Sequence, residues 1–367
     1  MYDYSRQINM KIGILTFHWA QNYGAVLQCF ALKCKLEEMG HDVWVIDRLP
    51  QYSGMLRRLY HRFSYKYYLS WMKFARFNRR FLIPKTRRYA SGKALEKHFG
   101  KEHFDVVIVG SDQVWRWNIM GYNYFLDFVD KRKTRKMSYA ASFGMSHWME
   151  NGLDTLKVAD LLKEFEHISV REQTGIDICR RTFGVHAELV LDPTMLHEAS
   201  FYEETLLKEY PKTSNPKMVS CILGKENRGH CLQLSNWAWK RNLIYEELFW
   251  TSWEFYKMEF CRGSFFHISV PEWLDEIRNA EYVVTNSFHC TVFAILFRKQ
   301  FVVLNNHSGG TDRIRTLLAA LHLEHRFSTS LDEFLLSRLL QEPIPYENVF
   351  KRLSVLRESS VAFLRNL

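Results

Sequence analysis

No two of the seven cysteines, at positions 29, 34, 179, 221, 231, 261 and 290, stand at CxxC spacing, and their number is odd. A disulfide framework and a structural zinc site are both poorly matched by that scatter, and no metal is expected. No apolar run approaches the roughly 20 residues a membrane-crossing helix needs. The stretch Met1 to Met10 is polar and lacks the basic-then-apolar order of a secretion signal, so the chain is expected in the cytoplasm. Internal repeats and low-complexity tracts are absent too. The most informative gap is acidic: from Arg48 to Lys93 there are thirteen Lys or Arg and no Asp or Glu. The whole chain has 50 basic and 40 acidic residues, so removing those thirteen leaves 37 against 40. One segment therefore carries the entire net charge of +10.

At 367 residues the chain suits two domains rather than one core. Short β-branched runs alternate with longer helical patterns, which predicts an α/β protein with parallel sheets covered by helices. The expected strands are 12–17, 43–47, 106–109, 137–141, 168–170 and 189–191, followed by a second series at 219–223, 243–248, 282–285 and 301–304. Between the series, the polar stretch 207–217 with Pro211 and Pro216 reads as a linker. The expected organisation is an N-terminal domain at 1–206 with a basic aromatic insertion at about 48–95, the linker at 207–217, and a C-terminal domain at 218–345. Residues 346–367, apolar at Val349, Leu353, Leu356, Val361 and Leu364, form a closing helix.

The first strand runs into Asn22-Tyr23-Gly-Ala and then a helical pattern that Gly40 ends. Asn22 reads either as a plain N-cap or as part of a binding loop, since open α/β sheets bind ligands at the carboxyl ends of their strands. Residues 52–89 interleave the basic residues with eleven aromatics. Tyr67, Trp71, Phe74, Phe77 and Phe81 recur at helical spacing beside Lys73, Arg76 and Arg80, which predicts a basic amphipathic helix. Such a helix suits an anionic membrane surface at the inner face of the cytoplasmic membrane, or alternatively packs on a core with its cations attracting anionic substrates. No recognised nucleic-acid module accompanies the charge, so nucleic acid is not an expected partner.

Several separated segments resemble the polysaccharide pyruvyltransferase family. They are Lys11-Ile-Gly-Ile-Leu-Thr-Phe17 with Asn22-Tyr-Gly-Ala-Val-Leu-Gln28, Phe104-Asp-Val-Val-Ile-Val-Gly-Ser-Asp-Gln-Val-Trp115, and Ser138-Tyr-Ala-Ala-Ser-Phe-Gly144. Ile168-Ser-Val-Arg-Glu172, Leu191-Asp-Pro-Thr194 and Thr285-Asn-Ser-Phe-His-Cys-Thr291 complete the series. The resemblance implies two Rossmann-like domains facing a cleft, as in GT-B glycosyltransferases, and the transfer of pyruvate from phosphoenolpyruvate (PEP) to a sugar as a ketal. The acceptor it implies is a surface or capsular polysaccharide, or its polyprenyl-diphosphate-linked precursor. Some members carry an arginine two residues before the motif histidine, where this chain has Ser287.

Ketal formation from PEP needs a proton donor for the methylene carbon, cations for a carboxylate and a phosphate, and an acceptor for hydroxyl protons. No organic cofactor is intrinsically required. His289, in the first turn of a helix with Ser287 as its N-cap, is the expected general acid; the alternative is a histidine that merely hydrogen-bonds its loop. Arg171, at a strand end, is expected to grip the donor, or else to form an ion pair with Glu172 or Glu188. Arg313 and Arg315 follow another strand as further donor ligands, but two positions apart on a helix they do not share a face. Asp112 is the expected proton acceptor or else a helix cap, and Asp192 before Pro193 is a turn former. Gln113, Trp115, Asn22 and Tyr23 are expected on the acceptor, with Trp115 stacking on the sugar. Two further functions fit the same frame: a metal-independent GT-B glycosyltransferase using a nucleotide sugar, and a catalytically inactive glycan-binding homologue.

Overall fold

Alternation of apolar residues along the first strands sets the layering. In the strands β1 (Lys11–Leu15), β2 (Asp42–Val45), β3 (Val106–Val109) and β4 (Arg135–Ser138), successive side chains point to opposite faces. Leu15, Val107 and Val109 enter one core, while Ile12, Ile14, Val106 and Ile108 enter the other. A strand buried on both faces belongs in a parallel sheet. The four strands are parallel in the order β2-β1-β3-β4, with Ile12 between Val43 and Val106. The helix Tyr23–Glu38 makes the crossover from β1 to β2. A short parallel pair, β5 (Ser169–Val170) and β6 (Glu188–Leu189), follows, and bridges from Met137 to His167 and from Ala141 to Val170 continue the order from β4.

The computed structural model describes residues 9–49, 65–116, 121–149, 154–213, 215–223, 227–248, 268–305 and 310–367. The second sheet is built from β7 (Lys217–Cys221), β8 (Ile244–Glu247), β9 (Tyr282–Thr285), β10 (Gln300–Leu304) and β11 (Phe327–Ser328). Its five strands are parallel in the order β11-β10-β9-β7-β8. All ten expected strands are present, with ends shifted by at most three residues. Strand β11 was not anticipated; two residues are too few to show a period.

The chain divides into one unit of Met1–His61, Ala75–Leu196 and Leu356–Leu367, and a second of Arg62–Phe74 and His197–Val355. The division thus falls ahead of the expected linker. Its physical reason is apolar: Tyr202, Leu206 and Leu207 are buried, and Tyr202 meets Phe293 edge-on at 5.0 Å, so this segment already belongs to the second core. The closing helix Tyr346–Arg365 is shared. Tyr346 donates its hydroxyl to the Ala294 and Lys299 carbonyls of the second unit. Phe363 and Leu364 lie in the first unit's core with Met137 and Tyr139.

The basic helix forms over Tyr65–Phe81, but Phe74 and Phe77 of its aromatic stripe are not offered to solvent. Phe74 and Phe77 are buried, and Phe30 of the helix Tyr23–Glu38 meets Phe77 at 5.9 Å and Phe81 at 5.5 Å. Arg76, Arg79 and Arg80 face outward, and Trp71 is half exposed. Of the expected amphipathic pattern, Tyr67 has a side chain outside the described set. Among the described residues no helix is long and apolar enough to cross a membrane.

Truncating Phe363 to Ala is expected to destabilise the protein by about 3 kcal/mol, from lost transfer energy and the cavity left behind. Val355→Ala, on the same helix but 64% exposed, is expected to stay within about 0.5 kcal/mol. Urea unfolding followed by tryptophan fluorescence measures both.

Candidate functional site

At the carboxyl edge of the first sheet, side chains knit the strand ends together. Gln28 donates from Nε2 to Thr16 Oγ1 and to the Ala25 carbonyl, both at 2.8 Å, and its Oε1 accepts from Ser111 N at 3.0 Å. Thr16 in turn donates to the Ser111 carbonyl at 2.9 Å. The loop after β3 is thereby tied to the end of β1. Asn22 is the helix N-cap, its Oδ1 accepting from Ala25 N at 3.2 Å, and Tyr23 opens the helix half-buried.

Arg171 leaves β5 into this loop with its side chain only 1% exposed. Its guanidinium reaches Asp192 at 2.5 Å, Asp112 at 2.9 Å and Ser111 Oγ at 3.2 Å. Burial alone would lower its pKa, but the Asp192, Asp112 and Glu172 charges outweigh that and raise it, so the group stays charged. The ion pair foreseen for Arg171 exists, yet its partners are Asp112 and Asp192 rather than Glu172 or Glu188. Asp192 also accepts from Thr194 N and Oγ1, so it both caps the following turn and neutralises Arg171. Asp112 stands at φ 78° and is held by the guanidinium; it caps no helix among the described elements.

Gln113 accepts from Arg116 at 3.2 Å and lies against Gly144. Trp115 departs from expectation. It is fully buried, donates Nε1–H to the Tyr124 carbonyl at 2.8 Å, and stacks on Phe125 with ring planes 7° apart. Its ring faces are occupied by core aromatics, so it packs the first unit's core and presents no platform for a sugar.

In the second unit the corresponding edge carries Asn286, His289 and Arg313. Asn286, just past β9, accepts from Leu223 N at 2.6 Å and donates to the Leu223 carbonyl at 2.9 Å, fixing the ends of β7 and β9. Ser287 occupies the N-cap position of the helix Phe288–Leu296 by backbone conformation, but its side chain makes no capping bond; its N–H donates to Thr285 Oγ1. His289 therefore sits in the first helical turn, 7% exposed, its ring edge-on to Phe288 at 5.2 Å. The Arg313 guanidinium, from the helix Thr311–Ala320, lies 5.8 Å from the Phe288 ring and bonds back to the Gly310 carbonyl at 3.3 Å. Gly310 has φ 83°, and a Cβ there would collide with that guanidinium. Arg315 is exposed and packs on Phe327 at 4.2 Å, so of the two arginines Arg313 is the one beside His289. Among the described residues no three His, Cys, Asp or Glu side chains converge as a metal-ligand set.

The family profile for polysaccharide pyruvyl transferase matches residues 22–308. The chain belongs to the polysaccharide pyruvyl transferase family. A search of curated proteins gave no match. Among solved structures the pyruvyl transferase chain is similar to a UDP-GlcNAc 2-epimerase of Methanocaldococcus jannaschii at 11% identity, TM-score 0.58, covering 96% of this chain and 100% of the other. It is also similar to the UDP-GlcNAc 2-epimerase of Neisseria meningitidis bound to UDP-GlcNAc, at 10% identity, TM-score 0.57, with 98% and 100% covered. A third, the glycotransferase of kitacinnamycin, matches at 10% identity and TM-score 0.54, with 97% and 96% covered. At such identities the likeness concerns the fold, which is that of paired Rossmann-like units of GT-B type.

One cluster of this pyruvyl transferase was missed in the sequence. His18 lies three residues past β1 and Asp47 two past β2, and because these strands are neighbours the two side chains meet, Nε2 to Oδ1, at 3.0 Å. Arg88 reaches the other Asp47 oxygen at 3.2 Å. A polar residue just past each of two adjacent strands was the available signal. Burial lowers the His18 pKa and outweighs the opposing hydrogen bond to Asp47, so the imidazole is neutral near pH 7. For Asp47 burial acts upward, but the His18 hydrogen bond and the Arg88 charge prevail and bring it to about 2. The signs agree. Below the ordinary histidine value of 6.5 the unfolded chain takes up a proton that folded His18 refuses, so stability falls as pH falls. The Asp47 contribution, present above 3.8, is lost as pH drops further through about 2. Stability of the wild type is expected to decline below pH 6.5 by up to about 1.4 kcal/mol per pH unit more than that of His18→Gln, measured by thermal unfolding across pH.

Proposed function

We propose that this transferase moves the pyruvyl group of phosphoenolpyruvate onto two hydroxyls of a glycan sugar as a ketal. The observation that supports the reading best is the grouping of His289, Phe288 and Arg313 at the carboxyl edge of the second sheet, within a chain of the pyruvyl transferase family. In this scheme the His289 imidazolium gives its proton to the methylene carbon of PEP, which becomes a methyl group, and C2 becomes the electrophile. One sugar hydroxyl bonds to C2, and its proton passes to a phosphate oxygen. The C2–O bond to phosphate then breaks, a second hydroxyl closes the ring at C2, and its proton returns to His289. Arg313 and the backbone amides of the first helical turn offset the donor's negative charge.

Arg171 is already paired to two carboxylates, so its contribution is to hold Asp112 within the first unit rather than to meet the donor directly. The acceptor is a surface-polysaccharide unit, free or carried on a polyprenyl diphosphate. Because Phe74 and Phe77 pack inward, the basic helix acts chiefly through outward charge, steering anionic acceptors and anionic lipid. The rival reading, glycosyl transfer from a nucleotide sugar, draws on the fold shared with proteins that bind UDP-GlcNAc.

PEP is expected to raise the thermal midpoint, and UDP-sugars are not; the reverse result would favour glycosyl transfer. His289→Ala should keep PEP affinity while turnover, read as phosphate release with acceptor, falls about 10²- to 10⁴-fold. Turnover unchanged in that variant would remove the histidine from the mechanism. Flotation with anionic vesicles is expected to be weak and abolished by high salt. Binding that survives salt would show aromatic insertion instead.

A further inference from the structure

The proposed reaction uses the carboxyl edge of the second sheet and leaves its amino edge unexplained. There the ends of the helices Val270–Asn279 and Phe288–Leu296 and the turn before β10 border a cavity of about 430 Å³ lined by Lys212, Arg278, Arg298 and Lys299. Glu203 lies in its lining, and Asp275 and Glu347 pair with Arg278 and Arg298, so four cations meet three carboxylates, an excess of one. A helix carboxyl end carries only about half a negative charge, which one cation more than satisfies. Three of the four are tethered: Lys212 to Glu203 at 2.8 Å, Arg298 to Glu347 at 2.8 Å, and Arg278 to Asp275 and the Tyr210 carbonyl. The Lys299 ammonium has no hydrogen-bond or ion-pair partner among the described residues. Burial lowers its pKa first, and the Lys212 and Arg278 charges lower it further against the opposing charge of Glu203. Like charges gathered round a hollow destabilise the fold until an anion fills it.

We infer that this cavity is a binding site for a small phosphate-type dianion, inorganic phosphate or a phosphomonoester, with Lys299 as its central ligand. Nine helical residues, roughly 14 Å along the axis, separate it from the His289 end, so it is a second anion site and not the donor site. Both ends of one helix then answer to phosphate chemistry. A ligand here steadies the helix that presents His289 without touching the reacting atoms.

Thermal unfolding in potassium phosphate, against potassium chloride at equal ionic strength, tests this. Millimolar phosphate should raise the midpoint of the wild type and of Arg313→Met by about 2–4 °C. Lys299→Met should show no such rise, and in the absence of phosphate it should melt above the wild type because repulsion is relieved. Comparing inorganic phosphate with glycerol 3-phosphate on Arg313→Met distinguishes the free ion from a phosphomonoester, and a specific response to either supports the site. An equal response to chloride, a phosphate response retained in Lys299→Met, or a response lost wholly in Arg313→Met overturns it.

Discussion

One guanidinium between two carboxylates governs the carboxyl edge of the first sheet. Arg171 is closed off from water, and a buried charge in that position is tolerated only because Asp192 and Asp112 neutralise it at 2.5 and 2.9 Å. Their arrangement joins the loop after β3, the end of β5 and the turn after β6, three segments distant in sequence. Removing one partner from such a set typically costs about 3–5 kcal/mol, because the remaining charge is stranded. Asp112 is therefore as much a structural residue as a candidate for proton transfer, and its orientation is inherited from Arg171.

The two units answer the same topological opportunity with different side chains. Parallel strands deliver loops and helix starts to one edge of each sheet. In the first unit that edge is internally neutralised, with arginine, aspartate, glutamine and histidine partnered to one another. In the second, Arg313 bonds to the Gly310 carbonyl and lies 5.8 Å from the Phe288 ring.

Strand identity was legible in the sequence because parallel strands buried on both faces read as plain apolar runs, and β3 and β9 were bounded to the residue. Helix starts at Asn22 and Ser287 were legible from cap residues, although Ser287 caps by backbone alone. What was not legible depended on three-dimensional partners. Trp115 follows a strand end exactly as a ligand-binding residue would, and only the surrounding Phe125, Phe143 and Phe165 show that its ring is core. The partners of Arg171 lie 59 and 21 residues away, beyond any local pattern. The amphipathic helix at 65–81 was found, but amphipathicity does not say whether the apolar face meets lipid or Phe30.

The shared closing helix carries a consequence for biosynthesis. Phe363 and Leu364 complete a hydrophobic layer whose other members, Met137 and Tyr139, emerge from the ribosome long before them. The first unit cannot finish its core until the whole second unit has been made. Folding in the order of synthesis is thus denied to this chain, and its early strands must wait, partly covered, for a segment that arrives after everything between them.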